Sequence, residues 1–66
     1  MSERLLRLEA VEDRIGLKKS KIYMMVSAGE FPRPVKLGNG HINGWPENEV
    51  TAWIKARIAE RGEAVQ

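Results

Sequence analysis

Apolar positions along this chain fall into short helical stripes punctuated by glycine and proline. Between Glu9 and Ile15, Ala10, Val11 and Ile15 recur at helical spacing behind acidic residues, and Gly16 follows where a left-handed cap residue is wanted. The spacing predicts a short helix that stops at Gly16. From Lys18 to Ala28, Ile22, Met25 and Val26 stand at i, i+3 and i+4, with Gly29 as the next stop signal. That is a second short helix. Only Gly16 and Leu17, or at most Lys18 as well, separate the two, and Leu17 suits the angle between them, so the pair reads as a helix-turn-helix.

The prolines of Phe31-Pro32-Arg33-Pro34 remove amide donors and push the residues before them into extended geometry, which closes the second helix. Val35-Lys36-Leu37 and His41-Ile42-Asn43 then flank Gly38-Asn39-Gly40, whose residues tolerate positive φ. A two-stranded hairpin is expected there. Pro46, Glu47, Asn48 and Glu49 supply helix-start chemistry, and Val50, Trp53, Ile54 and Ile58 recur on one helical face. A third helix is expected to run to about Arg61 and end at Gly62, with all of those apolar residues in the core. Leu5, Leu6 and Leu8 leave two options open: an edge strand added to the hairpin, or a staple at the start of the first helix. The expected fold is mainly α with a small β-hairpin: a winged helix-turn-helix of three helices and a two-stranded wing, in a single domain over residues 1–66.

Composition narrows the function. With 66 residues the chain builds one small core, whose stability rests heavily on Tyr23, Phe31, Trp45 and Trp53. Zero cysteines remove disulfides and thiolate chemistry, and one histidine leaves no pair for a metal site, so neither metal nor cofactor is expected. His41 is the one imidazole, and so small a fold seldom encloses a deep pocket, which argues against an enzyme. No apolar run approaches the ~18 residues of a spanning helix, and Met1 to Arg7 lacks a signal-peptide core, so a cytoplasmic protein without a membrane partner is expected.

Charge distribution says more than the total of +2. Residues 1–15 and 47–66 each carry a net −1, whereas Gly16 to Pro46 holds Lys18, Lys19, Lys21, Arg33 and Lys36 against Glu30 alone. Basic charge gathered in one central stretch is the footprint of a nucleic-acid face, although a solvated surface would carry the same residues.

The strings Gly16-Leu17-Lys18-Lys19-Ser20-Lys21-Ile22-Tyr23, Gly29-Glu30-Phe31-Pro32-Arg33-Pro34-Val35-Lys36-Leu37-Gly38, Gly44-Trp45, Glu49-Val50 and Ala52-Trp53-Ile54 resemble the AlpA family. Its members are small phage and prophage DNA-binding regulators with a MerR-like winged fold, related to excisionases. The resemblance runs from about Leu6 to Arg61. It implies a sequence-specific DNA binder that controls neighbouring genes, often integrase or excision genes, and in some members an architectural excision factor. The chain departs from the pattern at Lys18, where the family usually has a Ser or Thr cap, at Met24, where it has a basic residue, and at Asn39-Gly40-His41, where it often has Arg. A lost cap costs about 1 kcal/mol unless Ser20 or an incoming phosphate satisfies the free amides.

Candidate contacts follow from position. Lys18, Lys19, Ser20 and Lys21 open the second helix, where amides and the positive dipole end favour phosphate and where recognition helices present base-reading side chains. Lys19 or Lys21 is placed to reach guanine acceptors, and Ser20 a phosphate or a base edge. Met24 lies off the apolar stripe and suits a thymine methyl or a partner protein. Tyr23 follows the stripe, packing its ring and leaving its hydroxyl for a phosphate. Arg33 and Lys36 bracket the start of the hairpin as backbone clamps, unless the Arg33 stem covers Phe31 or Trp45. His41 and Asn43 are expected to alternate on one face of the returning strand, near a tip that enters a minor groove.

Five such cations give a salt slope of roughly −4 to −5 in log K against log salt. A single small module buries only ~600 to 1,000 Å² on DNA, so two or more copies on repeated or inverted sites are expected. Exposed Leu5, Leu6, Met24 or the last helix would join them. The contrasting reading is a protein-interaction module whose basic segment docks an acidic partner.

Overall fold

The computed structural model describes residues 3–62. In chain order it contains β1 (Leu5–Leu6), α1 (Leu8–Ile15), α2 (Lys19–Ser27), β2 (Val35–Lys36), β3 (Asn43–Pro46) and α3 (Glu47–Glu60). Three helices and a small antiparallel sheet make the winged helix-turn-helix that the sequence pattern predicts.

The two helices of the motif end as their glycines dictate. Gly16 takes φ 74°, and its amide donates to the Glu12 carbonyl at 2.8 Å, closing α1. At the end of α2, Gly29 takes φ 77°, its amide donates to the Val26 carbonyl, and the Glu30 amide reaches back to Met25 at 2.8 Å. That paired arrangement is a Schellman motif. It turns the chain sharply and sends Phe31 into the core.

The sheet settles the choice left open for the leucines. Its order is β1-β3-β2, with Leu5 opposite Pro46, Leu6 opposite Trp45, Val35 opposite Gly44 and Lys36 opposite Asn43. The Glu47 amide also donates to the Arg4 carbonyl at 2.7 Å. The wing therefore has three strands rather than two, and β3 is central. This third strand explains a second difference. The returning strand is Asn43–Pro46, not His41–Asn43, because pairing with β1 extends β3 onward to Pro46. At the other end, Gly38 (φ 86°) and Gly40 (φ 95°) hold residues 38–41 in a loop closed by Leu37 N–H to the Ile42 carbonyl at 2.8 Å. His41 belongs to that loop.

Leu6, Val11, Ile22, Met25, Phe31, Trp45 and Val50 form the buried core. Trp45 is fully buried, with Tyr23 at 6.0 Å and Phe31 at 6.4 Å between ring centroids, while Phe31 meets Trp53 edge-on at 5.0 Å. Leu17 packs against this cluster from the turn, as its position predicts. Leu6 is 5% exposed and so is excluded from any surface contact; its pairing beside Trp45 buries it. Ile58 is 43% exposed rather than core, whereas Val50 is buried and Trp53 and Ile54 are half-buried. The 14-residue α3 is about 21 Å long and its final turns run past the body it packs on. Arg14 straps the start of α3 to α1, donating to Glu47 Oε2 at 3.1 Å and to Thr51 Oγ1 at 3.0 Å.

Candidate nucleic-acid interface

At 100° per residue, the side of α2 that buries Ile22 and Met25 leaves Ser20, Met24 and Ser27 on the opposite side, at i, i+4 and i+7. All three are exposed, Met24 at 61%. Lys19 and Tyr23 flank that stripe on one side and Lys21 on the other. Lys18 is the N-cap residue, with extended φ −95° and ψ 171°, and no side chain caps the helix. Ser20 therefore does not substitute for the missing cap. The first amides of α2 project from the helix end without a side-chain acceptor, next to exposed lysines.

Lys18, Lys19, Lys21, Arg33 and Lys36 form no ion pair with any described carboxylate. By contrast, Arg14 is committed to Glu47 and Arg57 to Glu60, with the Arg57 guanidinium 5.5 Å from the Trp53 ring centre. The central cations are thus available to an external anion.

A cavity of about 260 Å³ opens between the first turns of α1 and α2 and the hairpin loop. Arg7, Leu8, Glu9, Lys19, Tyr23, His41 and Asn43 line it. Three of the expected contacts, Lys19, Tyr23 and His41, come together here. Asn43 Nδ2 donates to the Tyr23 hydroxyl at 3.4 Å, linking the sheet to α2. Lys36 stands opposite Asn43 in the ladder, and directly opposed residues share a sheet face, so Lys36 lies on the face that turns toward α2. Arg33 is exposed between the two prolines and does not line the cavity. Lys18 borders a different depression, which Glu9, Glu12, Asp13 and Gly16 also line. Among the described residues, no His, Asp and Glu cluster is placed to hold a metal ion, and no helix is long and apolar enough to cross a membrane.

The family model described as "Prophage CP4-57 regulatory protein (AlpA)" matches residues 4–58, which spans the helix-turn-helix, the sheet and nearly all of α3. The chain belongs to the AlpA family. It is also 46% identical over 59 residues to "Uncharacterized protein ORF88" of Enterobacteria phage P4, covering 89% of this chain and 66% of that relative. The chain thus spans about two thirds of the relative's length. No solved structure matches it.

For this AlpA-family chain, sequence reasoning missed two residues of the candidate surface. Ser27 completes the outward stripe of α2, and its i+7 spacing from Ser20 was present in the sequence as a signal. Arg7 had no such signal, because its place in the cavity depends on β1 pairing with β3 and on the packing of α1 against α2.

Proposed function

We propose that the chain binds double-stranded DNA in a sequence-specific way and regulates transcription of genes in the phage or prophage that carries it. Family membership supports this, and the observation that carries it is the unpaired basic, uncapped start of α2 next to an exposed stripe. In this reading α2 enters the major groove. Ser20, Met24 and Ser27 face base edges, with Met24 against a thymine methyl, while Lys19 and Lys21 reach phosphates or guanine acceptors on either flank. The free amides of α2 and Lys18 address the backbone, and a phosphate takes the place of the absent cap. Lys36, Arg33 and the loop carrying His41 lie along the adjacent backbone or minor groove.

One copy reads few base pairs, so the proposal includes two or more copies on repeated or inverted sites. Leu5 and Val35 lie on the sheet face away from Trp45, are 44% and 42% exposed, and offer one contact; Met24 and Ile58 offer others.

A mobility shift with DNA from upstream of the chain's own gene tests the reading. Retardation that depends on sequence and weakens steeply with salt is expected. Absence of retardation at low salt would instead favour the acidic-partner reading.

A further inference from the structure

Two cationic side chains and an imidazole from three separate parts of the fold meet at the 260 Å³ cavity: Arg7 from the link between β1 and α1, Lys19 from α2, and His41 from the hairpin loop. Arg7 and Lys19 have no carboxylate partner among the described residues. Glu9 is the one carboxylate in the lining, so Arg7 and Lys19 outweigh it and leave a net positive charge that an incoming anion would offset. Tyr23 and Asn43 add neutral polar groups to the wall, and Leu8 and Glu9 complete it. The Tyr23 hydroxyl accepts from Asn43 Nδ2, which leaves its own proton free to donate elsewhere.

We infer that this cavity seats one phosphate group of the DNA backbone, with Arg7 as its main ligand and Lys19, Tyr23 and His41 completing the cradle. The inference rests on the DNA-binding reading above and adds to it a contact outside α2 and the wing. Arg7 supplies the planar fork suited to paired phosphate oxygens, and Lys19 a point charge beside it. Because the walls come from α1, α2 and the loop, a seated phosphate fixes the angle between the recognition helix and the wing. Glu9 is the opposing element. Its carboxylate lines the same cavity and repels the anion, which gives the seat a variant of opposite sign.

The test uses the full chain and a duplex containing its strongest site, with melting curves confirming that each variant folds. Arg7→Gln should weaken binding roughly ten- to a hundredfold on all sequences alike, the loss typical of one charge-assisted contact. The salt slope should fall by about 0.9, and Arg7→Lys should restore that slope. Glu9→Gln should bind more tightly than the parent chain. In a scan that replaces each phosphate in turn with a neutral methylphosphonate, one position should abolish the difference between the parent chain and Arg7→Gln. Competition by inorganic phosphate separates the sources of the anion: the duplex should keep its advantage at millimolar phosphate, whereas displacement there would overturn a backbone seat. If the parent chain binds DNA and neither Arg7→Gln nor Glu9→Gln changes affinity or slope, the seat is wrong while the DNA reading stands. If the parent chain binds no DNA, both fail.

Discussion

The indole Nε1 of Trp45 donates to the carbonyl of Pro32 at 2.8 Å, joining the centre of the sheet to the segment that leaves α2. Trp53 does the same from α3, donating to the Glu30 carbonyl at 2.8 Å. Phe31 sits between the two indoles. The exit of α2 is therefore gripped from both sides, and its orientation depends on two ring nitrogens as well as on apolar packing.

Replacing each indole tests that grip. Trp45→Phe removes a donor from a half-buried carbonyl and trims a fully buried ring, at a cost of about 2 to 4 kcal/mol. In so small a chain that approaches the whole stability, and urea titration should find the variant largely unfolded. Trp53→Phe keeps the edge-on contact with Phe31 and loses an exposed bond, so about 1 kcal/mol is expected. Equal midpoints for the two variants would contradict the asymmetry in burial.

Lys18 stands where a capping oxygen belongs, and no side chain caps α2. Lys18→Ser should therefore stabilise the free protein by about 1 kcal/mol, a rise of roughly 4 to 8 °C in melting temperature. The same change should weaken DNA binding, since it removes a cation and fills the amides that phosphate would meet. A variant that melts lower would show that Lys18 is not the cap position.

Gly29 and Gly44 resist substitution for different reasons. A Cβ at Gly29 meets nothing within 4 Å, so Gly29→Ala costs only the left-handed backbone, about 1 to 2 kcal/mol. A synthetic chain with D-alanine at 29 should recover that loss. At Gly44 a Cβ would lie 3.0 Å from Leu37 Cδ1 and 3.2 Å from Leu5 Cβ, so Gly44→Ala crowds β3 between its neighbours. Its cost, about 1 to 3 kcal/mol, should shrink when Leu37 is shortened to Ala. Thermal melts of the single and double variants decide this.

Side chains on α2 should separate by role in binding assays across a set of point-substituted sites. Lys21→Ala is expected to weaken all sites alike and reduce the salt slope by about 0.9. Met24→Ala should instead relax preference at one base pair, with about 1 kcal/mol lost on the best site and little on others. Uniform loss for Met24→Ala would remove it from the base-reading stripe.

The link from Arg14 to Glu47 and Thr51 is surface-exposed, with both charged partners about a third open to solvent. Screening limits such a pair, so Arg14→Ala should cost no more than about 1 kcal/mol, and less in high salt. A larger loss in denaturant titration would mean that the strap sets the angle between α1 and α3.

Elements governed by local chemistry were legible in the sequence. Gly16 and Gly29 end helices at the expected places because only the backbone beside them decides the matter. The 3.6-residue period of Ile22, Met25 and Val26 likewise fixed which side of α2 faces inward. What failed depended on residues distant in the chain. His41 looked like strand because Gly38-Asn39-Gly40 reads as a short turn, yet β3, held between β1 and β2, starts only at Asn43. Ile58 matches the apolar stripe perfectly, but a stripe gives direction along a helix and not where the supporting core ends. Leu6 and Arg7 shared that difficulty: the pairing of residues forty positions apart buries one and brings the other to the cavity.

That same pairing has a consequence for biosynthesis. Leu5 and Leu6 leave the ribosome before their partners Trp45 and Pro46, which follow only after both helices of the motif and β2 have been made. The sheet therefore cannot form progressively in the order of synthesis, and β1 waits as sticky, unmatched backbone until β3 arrives to cover it.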